Sequence, residues 1–157
     1  MRLPVLLAAA SLCACAPAGT PAPSPSGPPP LARDQAQPVL ALFEHVLGDH
    51  FAAGGSSMPT TCAALRPVAL TAQQEQALIL RFVRLAPVQR CKPQGAGHVD
   101  SITGRPAVVV QVYNFTCADA AHCTGWAVLP GQPATRHAMQ FETGEWRFVS
   151  DRRIIGE

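Results

Sequence analysis

The sequence predicts an α+β fold, in which two N-terminal helices pack on a curved antiparallel sheet of four to five strands. Three observations support this prediction. Apolar residues recur at three- and four-residue spacing between residues 39 and 51. A second helical pattern begins at residue 71, and from about residue 98 short β-branched and aromatic runs alternate with turn signals.

Composition limits the kinds of protein that the chain can be. Its 157 residues suit one domain, and a hydrophobic fraction of 48% is ample for a core. Charged residues make up only 14% of the chain, and the formal net charge is +2. Such a weak charge does not hold a phosphate backbone, so we expect no nucleic-acid partner. No pattern in the sequence indicates a cofactor.

The N-terminus has the three-part layout of an export signal. Met1 and Arg2 form a short positive region, Leu3 to Leu12 form an apolar stretch, and small residues with cysteine follow. A helix needs about 20 apolar residues to cross a bilayer. This apolar stretch is too short, so it predicts export and not a membrane span.

The run Leu12-Cys13-Ala14-Cys15 resembles the bacterial lipobox, which has an aliphatic residue at position −3 and a small residue at −1 before the lipidated cysteine. The resemblance implies a signal peptide over residues 1–14, lipid on Cys15 and attachment to a membrane. Ala16, directly after that cysteine, implies the outer membrane, with the domain facing the periplasm. The alternative is ordinary secretion into the periplasm after cleavage at Ala16 to Ala18.

A proline-rich stretch follows the lipidation motif. Residues 17–30 contain seven of the sixteen prolines and no charged residue. Proline fixes φ and removes a backbone donor, so this stretch favours an extended, semi-rigid conformation without a core. We therefore assign residues 15–33 to a tether and residues 34–157 to a single globular domain.

Local signals mark the ends of both predicted helices. Pro38 suits the first turn of a helix, and the apolar stripe that follows it stops at the small residues 52–57. The second helix is expected to begin after Thr71, because Thr71 and Gln74 have the spacing of a capping box. It runs toward Pro87.

The C-terminal half predicts a meander of antiparallel strands. In its last hairpin, a loop of even length at Thr143-Gly144 places Phe141 opposite Trp146 and Met139 opposite Phe148. His137 shares that apolar face and is expected to be a packed or edge histidine. The order of helices and strands resembles cystatin-like and nuclear-transport-factor-like domains, a likeness of fold that implies no function.

Four cysteines lie in the predicted domain, at Cys62, Cys91, Cys117 and Cys123. Outside the cytoplasm four cysteines are expected to form two disulfides, with three possible pairings. We favour Cys117 with Cys123, because the five residues between them suit a hairpin tip. Cys62 then pairs with Cys91 across the second helix.

Zinc is the chemical alternative to a disulfide in the loop 117–123. Cys117, Asp119, His122 and Cys123 are all ligand types that Zn²⁺ accepts. The adjacent pair His122-Cys123 lacks the usual spacer between zinc ligands, and an oxidising compartment favours the disulfide. We therefore predict no metal site.

The loop closed by Cys117 and Cys123 presents Asp119 and His122, and it resembles the bridged, histidine-bearing loop of vertebrate-type lysozyme inhibitors. The resemblance implies that a rigid loop enters the lysozyme cleft, where His122 meets the paired carboxylates. Two features depart from that family. The cysteines enclose five residues in place of four, and Ala121, not proline, precedes the histidine.

A catalytic interpretation depends on His45, Asp49 and His50, because His45 and Asp49 stand at i and i+4 near the end of the first helix. The alternative is that the helix dipole favours both histidines at that end. No nucleophile motif or phosphate loop occurs. We therefore assign no catalytic residue and expect a lipid-anchored, non-enzymatic binding or structural module of the cell envelope. An inhibitor of a wall hydrolase and a small His/Asp-dependent enzyme are the alternatives.

Overall fold

The structure is a computed structural model that describes residues 29–54 and 58–151. The predicted signal peptide, Cys15 and residues 15–28 of the tether lie outside the described residues, as do residues 55–57. The described part contains two α-helices and eight strands. They are α1 (Pro38–Ala53), β1 (Thr60–Arg66), α2 (Ala72–Arg81), β2 (Leu85–Ala86), β3 (Cys91–Gln94), β4 (Gly97–Asp100), β5 (Pro106–Cys117), β6 (His122–Val128), β7 (Thr135–Glu142) and β8 (Glu145–Asp151).

Both predicted helices form and begin where the sequence signals place them, but α2 ends at Arg81, well before Pro87, because residues 85–86 pair with β1 as strand β2. Helix α1 has Pro38 in its first turn and ends at Ala53, just before Gly54. Thr71 and Gln74 form the expected capping box of α2, in which the Thr71 hydroxyl accepts from the Gln74 N–H at 3.2 Å. The Gln74 side chain accepts in turn from the Thr71 N–H at 3.0 Å.

The predicted fold class is wrong in the order of its elements and in the nature of its sheet. Strand β1 lies between the two helices in the chain, so α2 does not follow α1 directly. In the described residues the sheet has eight strands and is mixed, with the order β2-β1-β5-β6-β7-β8 and the β3–β4 hairpin beside the start of β5. Strand β1 runs parallel to both of its neighbours.

The sequence does not predict strand β1, because its residues, Thr-Thr-Cys-Ala-Ala-Leu-Arg, include two alanines, which have low β-propensity. It becomes a strand through its neighbours. All seven of its residues pair with β5, and Ala63 is buried in the main core. Tertiary pairing therefore decides the conformation of this segment.

The meander predicted for the C-terminal half is present as β5 to β8, each antiparallel to the next. In the last hairpin Phe141 pairs with Trp146 and Met139 with Phe148, which confirms the predicted register. The turn has two residues, Thr143 with φ 51° and Gly144 with φ 84°. Two successive positive φ values match the twist of a hairpin, and glycine adopts such values without strain.

Helix α1 packs on one face of the sheet. Leu42 of α1 meets β6 at Gly125, where an added Cβ would lie 2.9 Å from side-chain atoms of Leu42 and of Phe115. Phe115 reaches this position because the pairing of β5 with β6 shifts between Tyr113 and Thr116. Glycine at residue 125 thus allows the helix to approach the strand closely.

The segment before α1 is attached to the domain by hydrogen bonds. The indole N–H of Trp146 donates to the Asp34 carbonyl at 3.1 Å, and the Ala32 N–H donates to Glu44 at 2.8 Å. Within the described part of the chain, neither helix is long and apolar enough to span a membrane.

Both predicted disulfides are present, Cys62–Cys91 and Cys117–Cys123. Cys62 and Cys91 are buried with Ala86 and Ala107 in a second, smaller core. The first bridge joins residues 29 positions apart and the second joins residues six apart.

We predict that removing the longer bridge costs more stability than removing the shorter one. Loop-closure entropy gives about 3 to 4 kcal/mol for the Cys62–Cys91 ring and about 2 kcal/mol for the Cys117–Cys123 ring. Denaturant unfolding of the two double-alanine variants measures the difference. Equal losses, or a larger loss for the Cys117 and Cys123 variant, would contradict this prediction.

Candidate functional site

The disulfide-closed loop between β5 and β6 is the candidate site. Cys117 ends β5 and pairs in register with Cys123, so the bridge links directly opposed positions. The Ala118 N–H donates to the His122 carbonyl at 2.9 Å and closes the turn. We call residues 117–123 the stapled loop. The sequence places both Asp119 and His122 in it.

The stapled loop brings Asp119 and His122 together as predicted binding residues. The Asp119 carboxylate accepts from the N–H groups of Ala121 and His122, each at 2.8 Å. Nδ1 of His122 lies 2.9 Å from both carboxylate oxygens. A carboxylate only accepts, so Nδ1 carries the proton in this pair.

Hydrogen bonds favour the ionised form of Asp119, and both side chains are accessible to a partner. The Ala121 N–H and the His122 ring, in that order, lower the pKa of Asp119 below its ordinary value. The two side chains remain 58% and 53% exposed. The arrangement therefore presents an oriented imidazole on a closed loop, and the Gln35 amide supports that loop through a 3.1 Å hydrogen bond to the Ala120 carbonyl.

A groove of about 530 Å³ adjoins the stapled loop on the face of β6, β7 and β8. His122 and Cys117 line one side, and Ala138, Gln140 and Val149 line the other. Val149 is 70% exposed, which is unusual for a large aliphatic side chain. The groove extends the apolar contact area that a partner of the loop would meet.

His45 and His50 do not converge on one site, as the catalytic alternative requires. His50 lies 3.3 Å from the Thr61 hydroxyl and packs against Phe51, and burial lowers its pKa. His45 stacks instead on Phe148 with centroids 4.4 Å apart and rings 12° from parallel. In residues 29–54 and 58–151, no group of three His, Cys, Asp or Glu side chains is placed to hold a metal ion.

His45 meets His137 of β7, a contact that the sequence analysis missed. The two rings form an edge-to-face pair with centroids 5.5 Å apart. His137 is only 5% exposed, as expected of a packed histidine. Its Nδ1 lies 3.1 Å from the Ser150 hydroxyl, and its buried Nε2 has no hydrogen-bond partner among the described residues. Only the packing of α1 on the sheet brings residues 92 positions apart in sequence into contact.

Asp100 is a structural ion-pair partner of Arg90. Its side chain is buried and accepts from Arg90 Nε at 3.1 Å, the Thr60 hydroxyl at 2.8 Å and the Ile102 N–H at 3.0 Å. The Arg90 guanidinium is the main cause that holds the pKa of Asp100 well below its usual range. Through these bonds the carboxylate joins β1, β4 and the turn before β3. We therefore assign Asp100 a structural role.

Comparison of the chain with protein-family models, with curated proteins and with solved structures finds no match in any of the three. A functional assignment therefore depends on the sequence and geometry of this chain alone.

The buried His137 predicts an acid-sensitive fold. Burial, followed by neighbouring His45, lowers the pKa of His137 to about 4, while Asp49 raises it. In an unfolded chain the pKa of histidine is about 6.5. A depressed folded-state pKa gives stability that is present above pH 6.5 and is lost as the pH falls toward 4.

We expect the melting temperature to fall by about 5 °C or more between pH 7 and pH 5, and His137→Leu to reduce that fall. Thermal unfolding in the two buffers measures both effects, and His98→Gln on β4 is the control that should retain the fall. An equal fall in the His137→Leu variant would show that other groups cause the pH dependence.

Proposed function

We propose that this chain is a lipid-anchored protein of the cell envelope, attached through Cys15 to the outer membrane and facing the periplasm. Its folded domain acts as a non-enzymatic binding module. The export signal, the lipobox-like run and the proline-rich tether support the anchoring part of this proposal. Two disulfides in the domain are consistent with an oxidising compartment.

The stapled loop beside its groove is the observation that carries the binding part. A partner that contacts a loop already closed by a disulfide loses less conformational entropy than one that must order a free loop. The Asp119–His122 pair supplies an oriented polar contact, and the neighbouring groove supplies apolar area. Together they offer a polar contact beside apolar area, a combination that protein interfaces use.

Inhibition of a wall hydrolase is a second candidate, and the orientation of His122 favours it. Since Nδ1 pairs with Asp119, Nε2 is the ring nitrogen that a partner would meet. Glycoside hydrolases work with a pair of carboxylates in a cleft. With both ring nitrogens protonated, a histidine on this rigid loop would donate from Nε2 to one of those carboxylates and block the cleft.

The anchoring proposal predicts an acylated N-terminal cysteine. Mass spectrometry of protein extracted from membranes should find Cys15 as the first residue, with acyl chains attached. The Cys15→Ala variant should lose the membrane association, because two or more acyl chains are what hold a protein stably on a bilayer. Unmodified Cys15 in the membrane fraction, or a wild-type chain found only in the soluble fraction, would contradict the proposal.

The inhibitor candidate predicts a specific role for His122. His122→Ala should weaken inhibition of lysozyme by about tenfold or more, since loss of an interface hydrogen bond to a charged group is costly. Its melting temperature should not change, because the side chain is exposed. His98→Ala is a matched histidine control. If the wild-type chain does not inhibit lysozyme, or if His122→Ala inhibits equally well, the inhibitor candidate fails while the binding-module proposal stands.

A further inference from the structure

A row of aromatic and basic side chains crosses the sheet from β1 to β7. Arg66 pairs with Tyr113, Tyr113 pairs with Trp126, and Trp126 pairs with Arg136. Directly opposed residues on neighbouring strands project from the same face of a sheet. The four side chains therefore share one face, and we call them the aromatic row.

The aromatic row lies on the face opposite the two helices. Gly125 faces Leu42 of α1, and Ala127 is completely buried in the main core. Side chains alternate along a strand, so Trp126, between these two residues, projects the other way. Leu78 of α2 belongs to the same core as Leu42, which puts both helices on the covered face.

The two rings at the centre of the row stack with nearly parallel planes and form an apolar patch between the two arginines. The centroids of Tyr113 and Trp126 are 6.2 Å apart, and their planes differ by only 14°. Both side chains are half-buried, so part of each one is open to solvent. Aromatic faces carry negative potential and attract the partly positive C–H groups of a ligand.

The ends of the row are positively charged. Arg66 and Arg136 are both exposed and flank the aromatic pair on opposite sides. Asp151 pairs in register with Arg136 and places an acidic residue beside that end of the row. A guanidinium binds carboxylates in a planar, two-bond geometry.

We propose that the aromatic row binds a glycan strand that carries carboxylate groups. The C–H face of a pyranose ring stacks on Tyr113 and Trp126, and the sugar carboxylates pair with Arg66 and Arg136. The hydroxyls of Thr116 and Thr124, 3.4 Å apart on the same face, supply further hydrogen bonds to sugar hydroxyls. This inference rests on the proposed function in one respect only, because it assumes that the glycan strand belongs to the cell wall.

The test measures binding of the full-length mature chain, in detergent, to two oligosaccharides by calorimetry. One is an octasaccharide of hyaluronan, which carries a carboxylate on every second sugar, and the other is the neutral hexamer of N-acetylglucosamine. The wild-type chain should bind the charged oligosaccharide more tightly than the neutral one. The preference should shrink as salt is raised, because exposed charges are screened.

Two variants separate stacking from charge. Trp126→Ala should weaken binding of the charged oligosaccharide by about tenfold or more, since an aromatic contact is lost. Arg66→Gln combined with Arg136→Gln should weaken it by about threefold or more and remove the salt dependence. Leu80→Ala, an exposed apolar residue on α2, is the control that should change nothing. If Trp126→Ala does not fold, Trp126→Phe and the arginine variant decide.

Three results would overturn the proposal. One is absence of binding to both oligosaccharides, and another is equal affinity for the charged and the neutral one. The third is a wild-type dimer that Trp126→Ala converts to a monomer, which would make this face a contact between two copies. Failure of glycan binding leaves acylation of Cys15 unaffected, and an unmodified Cys15 leaves glycan binding unaffected, so the two proposals fail separately.

Discussion

The packing of α1 against the sheet is the contact on which the rest of the structure depends. Leu42, Phe43 and Leu47 are completely buried at this interface, and each contributes roughly 1.5 to 3 kcal/mol by leaving water. Close approach is possible because Gly125 has no side chain and Phe115 fills the space beside it. Since one helix covers only one side of a sheet, the same contact decides which side chains of β5 to β8 are buried and which face outward.

This one-sided burial gives the domain its two surfaces. The covered face holds the main core, together with His45 and His137, which meet because α1 packs on this face. The opposite face carries the aromatic row and the groove, and the stapled loop adjoins that groove. The proposed binding function needs a stable core on one side and an accessible surface on the other, and two helices and one sheet provide both.

The two aspartates Asp100 and Asp119 have different roles in the structure because they differ in burial. Asp100 is buried and completely engaged by Arg90, Thr60 and a backbone N–H, so its charge holds three segments together. Asp119 is exposed, and its hydrogen bonds orient a histidine toward solvent. A buried aspartate therefore joins segments of the fold, whereas an exposed one orients a neighbouring side chain, because water screens an exposed ion pair more strongly than a buried one.

The sequence by itself determined the features that depend on neighbours along the chain. The limits of α1, the start of α2, the register of the last hairpin and the local Cys117–Cys123 bridge follow from capping residues, turn residues and short spacing. With this bridge assigned, the Cys62–Cys91 pairing followed by elimination. Tertiary structure alone decided that residues 60–66 form a parallel strand, that His45 meets His137, and that Arg66 and Arg136 flank two aromatic rings. Those outcomes depend on hydrogen bonds and contacts between residues far apart in the chain, and local propensity does not encode which distant partners will meet.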